Sequence, residues 1–292
     1  MGDPANLVSR KNNSFDFFSN LSWVNGTHHA KFGVYIFRLR FNPLEAPNSR
    51  GVFNFTPRFT SSAAGLSDGN AFADFLLGYP STAQGGLGRG EEDSRTTWIH
   101  MYAQDDWQPR SGFTINAGLR YEINGHMSEV QNRLSSVELE RFVIASDEAG
   151  RIHPDAAALL PLIPIPYTTT EAAGYHRSLL RPSYLRLAPR LGIAWSPGGN
   201  SKTVLRTGIG LFYNQWSYSV QTAFAQNLPF YSTRSITTAS DTPVPSLRTA
   251  SVLDSTATGS IGASTMEPGY RTEYATSWTF DLQRELSSGL LA

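Results

Sequence analysis

From Phe113 to Asn124 the chain alternates without a break. Phe113, Ile115, Ala117, Leu119, Tyr121 and Ile123 fall on one face, and Thr114, Asn116, Gly118, Arg120, Glu122 and Asn124 on the other. Period two sustained over this length predicts a β-strand. Thr96 to Trp107 alternates less cleanly, with Ile99, Met101 and Ala103 against His100, Tyr102, Gln104 and Asp106. Gln108-Pro109-Arg110-Ser111-Gly112 holds the Pro and Gly of a compact five-residue turn, so the two stretches predict one long antiparallel hairpin. The pattern recurs along the chain. Ser14 to Trp23 puts Phe15, Phe17, Leu21 and Trp23 on one face, Asn25-Gly26 makes a hairpin turn, and His28 to Phe41 returns. Leu191, Ile193 and Trp195 oppose Arg190, Gly192 and Ala194; Pro197 to Asn200 turns the chain; and Leu205, Thr207, Ile209, Leu211 and Tyr213 oppose Arg206, Gly208, Gly210 and Asn214. Arg271 to Glu285 then sets Tyr274, Thr276, Trp278, Phe280 and Leu282 against Ser277, Thr279, Asp281, Gln283 and Glu285, before Ser287-Ser288-Gly289 turns again.

Between these strands the pattern changes. Pro43 to Ser49 predicts a loop, Val52, Phe53 and Phe55 the start of a third strand, and Ser81 to Arg89 a fourth, poorly patterned one. Asp68 to Gly78 predicts one or two helical turns, with Asp68 or Asn70 as N-cap and Gly78 as C-cap. Residues 125–185 and 216–270 predict two connections far longer than usual.

Strand length changes the picture. A strand in a soluble sheet averages about five or six residues, whereas one crossing a bilayer at a tilt needs about nine to eleven. If the turns at Asn25, Pro109 and Gly198 lie on one side, simple alternation puts both long connections on the other, as in outer-membrane barrels. Trp23, Trp107 and Trp195 each lie near a short turn and share a face with apolar neighbours, as an interfacial girdle requires. In the strand from His28, Phe32, Val34 and Ile36 share a face with Arg38 and Arg40, which predicts a bulge or a strand emerging from the membrane. The expected fold is all-β: an antiparallel up-and-down transmembrane β-barrel portion of nine complete strands and the start of a tenth, with long outer loops, over residues 1–292. A large soluble sandwich also alternates and is the competing fold.

Composition adds exclusions. Net charge is zero, so nothing marks a nucleic-acid partner. The absence of Cys rules out disulfides, thiolate metal sites and cysteine nucleophiles. No apolar stretch is long enough for a transmembrane helix; the richest, Ala156 to Tyr167, is cut by Pro161, Pro164 and Pro166. Met1 to Asn6 shows no signal-peptide pattern. Arg outnumbers Lys 21 to 3, a bias that a GC-rich genome also produces.

Candidate chemistry is sparse. His100 and Asp106 lie about 20 Å apart on an extended strand and cannot form an acid-base pair without a partner strand. His28 and His29 face opposite sides with no third ligand near. Gly198 to Thr203 lacks phosphate-loop spacing, and Gly85 to Gly90 does not open a helix. We therefore expect no catalytic residue, no metal ligand, no cofactor and no enzymatic activity. Asn116, Arg120, Glu122, Arg190, Arg206, Asp281 and Gln283 are expected to face the lumen. Asn214, Gln215, Trp216, Tyr218, Phe230 and Tyr231, aromatic faces beside amides at the start of the second long connection, are candidate ligand contacts. The alternative is that these aromatics pack the loop.

Several stretches resemble one family in the order it shows. They are Trp23 to Gly33, Ala71 to Gly78, Tyr102-Ala103-Gln104-Asp105-Asp106-Trp107, Asn116 to Glu122, Ala188-Pro189-Arg190-Leu191-Gly192 and Trp278 to Leu286. Together they resemble the TonB-dependent outer-membrane transporters, specifically the Oar-like barrels of acidobacterial type. That resemblance implies outer-membrane location, lipid as surroundings, an unidentified large nutrient as ligand, and a TonB energising complex acting through a plug domain. It also implies a barrel of about 22 strands, so the chain is expected to be an amino-terminal barrel portion separated from its plug, its signal peptide and its remaining strands. Two other functions are compatible: a structural or adhesive outer-membrane barrel without transport, and a soluble carbohydrate-binding β-sandwich.

Overall fold

The computed structural model describes residues 6–62, 68–180, 184–199, 202–214, 218–237, 260–267, 269–270, 272–287 and 290–291. Seven long strands form a wall: β1 (Leu7–Asn25), β2 (His28–Ala46), β3 (Ser94–Arg110), β4 (Phe113–Asn124), β5 (Leu187–Trp195), β6 (Thr203–Tyr213) and β7 (Tyr274–Ser287). Each pairs antiparallel with the next in chain order. Leu290–Leu291 beside β7 and Ser128–Glu129 beside β3 bring the sheet to nine strands. Among the described residues the first and last strands do not meet, so the wall is a half-barrel. No described helix is long and apolar enough to cross a membrane.

The strands form where the alternation predicts; β1, β2, β3 and β5 run longer than predicted, whereas β4 has the predicted bounds. The 19-residue register between β1 and β2 runs unbroken from Leu7 opposite Ala46 to Asn25 opposite His28. Thus β2 carries no bulge against β1 and does not yield to a loop at Pro43. Its continuation is held by Leu39 and Phe41, buried with Met127 against Phe37 and Tyr218. Pro43 still accepts at its carbonyl from the Glu92 N–H (3.0 Å). The first turn consists of Gly26 and Thr27, one residue later than expected, with Gly26 at φ +57°. The second is Ser111-Gly112 instead of five residues. Pro109 had marked a turn, but the register slips between Trp107 and Arg110, and this bulge tolerates a residue with no N–H to donate.

Val52–Asn54 and Thr82–Gly88 are strands, but not wall strands as the simple count had them. They belong to a separate four-stranded sheet with Tyr231–Thr237 and Ser260–Ile261. Glycine explains the assignment: Gly86 lies under the Tyr231 hydroxyl and Gly88 against the backbone of Phe230, approaches that a Cβ would block. Removing two strands from the count preserves the up-and-down alternation and adds a third long connection, residues 47–93, to the side that already holds 125–186 and 214–273.

The three connections fold together into an outer assembly. Helix α1 (Ala71–Leu77) begins at Asn70, whose Oδ1 accepts from the N–H groups of Phe72 and Ala73, and ends at left-handed Gly78, both as expected. Helix α2 (Tyr218–Ala225) was not foreseen. A strand set of Ser135–Glu138, Arg141–Ile144 and Tyr167–Thr169 gives the second connection its own frame. One core joins Leu134, Val143, Ala145, Leu179 and Leu180 to Phe224 and Ala225, and a second joins Phe142, Ile144, Ala156 and Leu159 to Leu228 and Phe230. The Tyr231 hydroxyl donates to the Pro47 carbonyl (2.6 Å) and ties in the first connection. The dry core therefore sits above the sheet, while the apolar face of the wall stays bare: Leu21 is 64 % exposed and Trp278 74 %.

Candidate functional site

The wall has one apolar and one polar face, and register decides which side chains meet. Across the apolar face run Leu21, Phe32, Ala103 and Leu119, and below them Trp278, Ile209, Leu191 and Ala117. Trp23, Trp107 and Trp195 stand on this face near the short turns. At the same level His28 Nδ1 meets Asp105 Oδ2 (2.6 Å) and its ring stacks on Trp107 at 5.5 Å.

The opposite face carries a cross-strand polar network. The Tyr102 hydroxyl donates to Asn20 Oδ1 (2.9 Å), its ring lying over Gly33, where a side chain would collide with it. Arg120 donates to His100 Nδ1 (2.7 Å) and pairs with Glu122 (2.9 Å). His100 Nε2, which therefore carries the ring proton, donates to Asn124 Oδ1 (2.6 Å). Asn116 donates to Asp106 (2.6 Å), which also lies 3.7 Å from Lys31. Arg206 reaches Asp281 (3.2 Å) and Gln283 (3.0 Å), and Arg190 lies over the Phe212 ring at 4.7 Å. Asn116, Arg120, Glu122, Arg190, Arg206, Asp281 and Gln283 thus share one face.

Where the polar face meets the outer assembly, a cavity of about 460 Å³ opens between β1, β2 and α2. Arg10 and Glu45 form an ion pair there (2.6 Å), and Tyr218 stacks on Phe41 at 5.6 Å. Burial raises the Tyr218 hydroxyl above its ordinary pKa. A larger cleft, about 870 Å³, lies in the second connection, bordered by Asn132, Asp147, Glu171, Tyr175, His176 and Arg177. Burial and the neighbouring Arg177 lower the His176 pKa. Between cavity and wall, Glu92 is buried, accepts from Ser94 Oγ (2.5 Å), and is pushed up to about 7 by burial. Glu129, also buried, stays paired to Arg133 (3.0 Å). Among the described residues no cluster of three or more His, Asp or Glu is placed to hold a metal ion.

A model of the outer membrane beta barrel domain matches residues 2–292. The chain belongs to this family. No curated protein and no solved structure matches it. The protein is thus a barrel domain of the outer membrane, and a barrel turns its apolar face to lipid. The seven residues predicted for the lumen lie on the other face of the barrel domain. The described ones among the predicted ligand contacts do not line one pocket. Asn214 is exposed and donates to Glu273 (3.1 Å), and Tyr218 lines the smaller cavity. Gln215 and Trp216 lie outside the described residues. Phe230 and Tyr231 are buried, at 7 % and 1 % exposure, so these two aromatics pack the outer assembly of the barrel domain. Sequence reasoning missed Glu92 and the Arg10–Glu45 cavity. Only the long register of β1 with β2 could have located the latter, since Arg10 sits outside the clear alternation.

Proposed function

We propose that the barrel domain is part of a TonB-dependent receptor of the Oar-like type, taking up a large nutrient. The supporting observation is the openness of the wall. Its polar face is not packed with opposing side chains: β1 is exposed along its whole length, and Arg206 and Asp281 remain exposed although bonded. A small closed barrel fills its interior with side chains, whereas a wide one keeps an aqueous or plugged lumen. Further strands are therefore needed to cover both edges, because each unpaired backbone group in lipid costs several kcal/mol. The outer assembly, with its two polar hollows, supplies the surface that captures the nutrient, and Tyr218 lines the nearer hollow. The domain binds and passes its ligand without chemistry. An energised partner acts through a plug domain outside the wall described here.

The test is uptake in a strain lacking the parent gene, screened on carbon and iron sources, with and without dissipation of the proton-motive force. Uptake is expected to need both the gene and the energised state. Uptake that needs the gene but survives de-energisation would exclude TonB dependence, and an unchanged nutrient range without the gene would leave the structural or adhesive reading. Deleting 221–268 is a poor probe, because it removes Phe224, Leu228 and Phe230 from both outer cores. Tyr218→Ala leaves both cores intact and is expected to weaken uptake.

A further inference from the structure

The apolar face of the wall ends differently on different strands. On β4 to β7 its outer end carries Tyr121, Ile123, Leu187, Tyr213 and Tyr274, an ordinary interfacial girdle. On β1 to β3 the same level carries cations. Register places Arg40 between Asn13 and Arg95, Arg38 between Phe15 and Thr97, and Lys11 beside Asn42, all facing the lipid side. Lys11, Arg38 and Arg40 are exposed, and among the described residues none has a carboxylate within ion-pair distance. Arg40 rests on the Phe15 ring at 5.6 Å. Arg95 is pinned, donating to Asn42 (2.7 Å) and paired with Asp93 (2.5 Å), the one acidic group in the patch. Glu45 and Asp16 point to the other face, where Arg10 and Tyr35 engage them.

Height fixes what these cations meet. From Ala30, opposite Trp23, to Arg40 the strand rises about 33 Å at about 3.3 Å per residue, or about 25 Å of height at a tilt near 40°. That is the thickness of the apolar band, so the cations stand at its outer rim, on the side of the long connections. Phosphates of outer-leaflet glycolipid lie at this depth. Arginine forks match them in geometry, and each cation near a charged surface contributes about 1 kcal/mol.

We propose that Lys11, Arg38 and Arg40, with Asn13 and Asn42 between them, form a docking site on the lipid-facing wall for the phosphorylated headgroup of an outer-leaflet glycolipid. Asn13 and Asn42 supply amide donors beside the cations, and the apolar row below, Phe15, Phe17, Val34 and Ile36, receives the acyl chains.

The test uses the intact parent barrel folded into phosphatidylcholine vesicles doped with bisphosphorylated lipid A, the same lipid A stripped of phosphate, or phosphatidylglycerol. Lipid retained after purification is measured by mass spectrometry, and heat-modifiable migration on gels verifies the folded wall. Bisphosphorylated lipid A is expected to be retained over both other lipids, and each of Lys11→Gln, Arg38→Gln and Arg40→Gln to lower its retention about fivefold. The combined variant is expected to lose it almost entirely. Replacing Arg50, Arg141 and Arg151 removes the same charge elsewhere and is expected to change nothing. Equal retention by wild type and the folded single variants would overturn the proposal, as would equal retention of phosphatidylglycerol or displacement by excess inorganic phosphate.

Discussion

Leu119→Arg or Ile209→Arg, placed in the intact parent barrel, lowers its unfolding free energy in a bilayer by about 2 to 4 kcal/mol, the cost of a cation on the lipid face near the midplane. Both side chains stand in the apolar rows, exposed by 47 % and 53 % because only lipid covers them. Asn116→Arg, one strand position from Ala117, costs far less. Asn116 faces the polar network and already donates to Asp106, which would accept equally well from a guanidinium. Denaturant titration of the intact parent barrel refolded in vesicles compares the three. Equal losses at Leu119 and Asn116 would mean that the two faces are not lipid and water.

Glu92→Gln stabilises the outer assembly at pH 8 by about 3 kcal/mol and has little effect at pH 5. Burial raises the Glu92 carboxyl from its ordinary 4.5 to about 7, so the folded state binds the proton more tightly than the unfolded chain. Stability from this group is therefore complete below about 4.5 and is lost as pH rises through about 7, and the gap between the two values sets the magnitude. Nearby Glu129 and Glu45 add to the penalty, while hydrogen bonds from Ser94 and Thr222 offset part of it. One carboxyl oxygen, Oε2, is buried without a partner, a position that a neutral amide occupies at less cost. Amide exchange at Leu134, Val143 and Ala145 reads the change. A variant that is no more protected than wild type at pH 8 would show Glu92 to be well solvated as an anion.

The wall was legible because lipid on one side and polar groups on the other impose period two on every strand, as Phe113 to Asn124 displays. Its ends were less so. Pro109 signals a turn and a bulge alike, and Pro43 sits inside a strand whose anchoring contacts, Met127 and Tyr218, come from distant connections. Thr82–Gly88 was readable as a strand but not as belonging to another sheet, since its partner Tyr231–Thr237 lies far along the chain. Phe230 and Tyr231 illustrate the same limit for the site. Aromatic residues among polar ones describe a ligand surface and a loop core equally, and only their packing against Phe142, Ile144 and Pro47 separates the two. Burial of Glu92 left no local trace, because the groups around it, Pro43, Ser94, Glu129 and Thr222, come from two strands and two other connections.

Because the cores of the outer assembly join residues such as Leu134 to Phe224 and Ile144 to Leu228, they close loops of more than eighty residues, whereas β1 with β2 and β3 with β4 close through two-residue turns. Loop closure must be paid before distant contacts reward it, so assembly has a built-in order. Hairpins zip first and the outer assembly closes last, once β6 has delivered α2 to its partners. During that interval the second connection stands open to proteases while the wall is already formed, and pulse proteolysis during refolding would register the two stages separately.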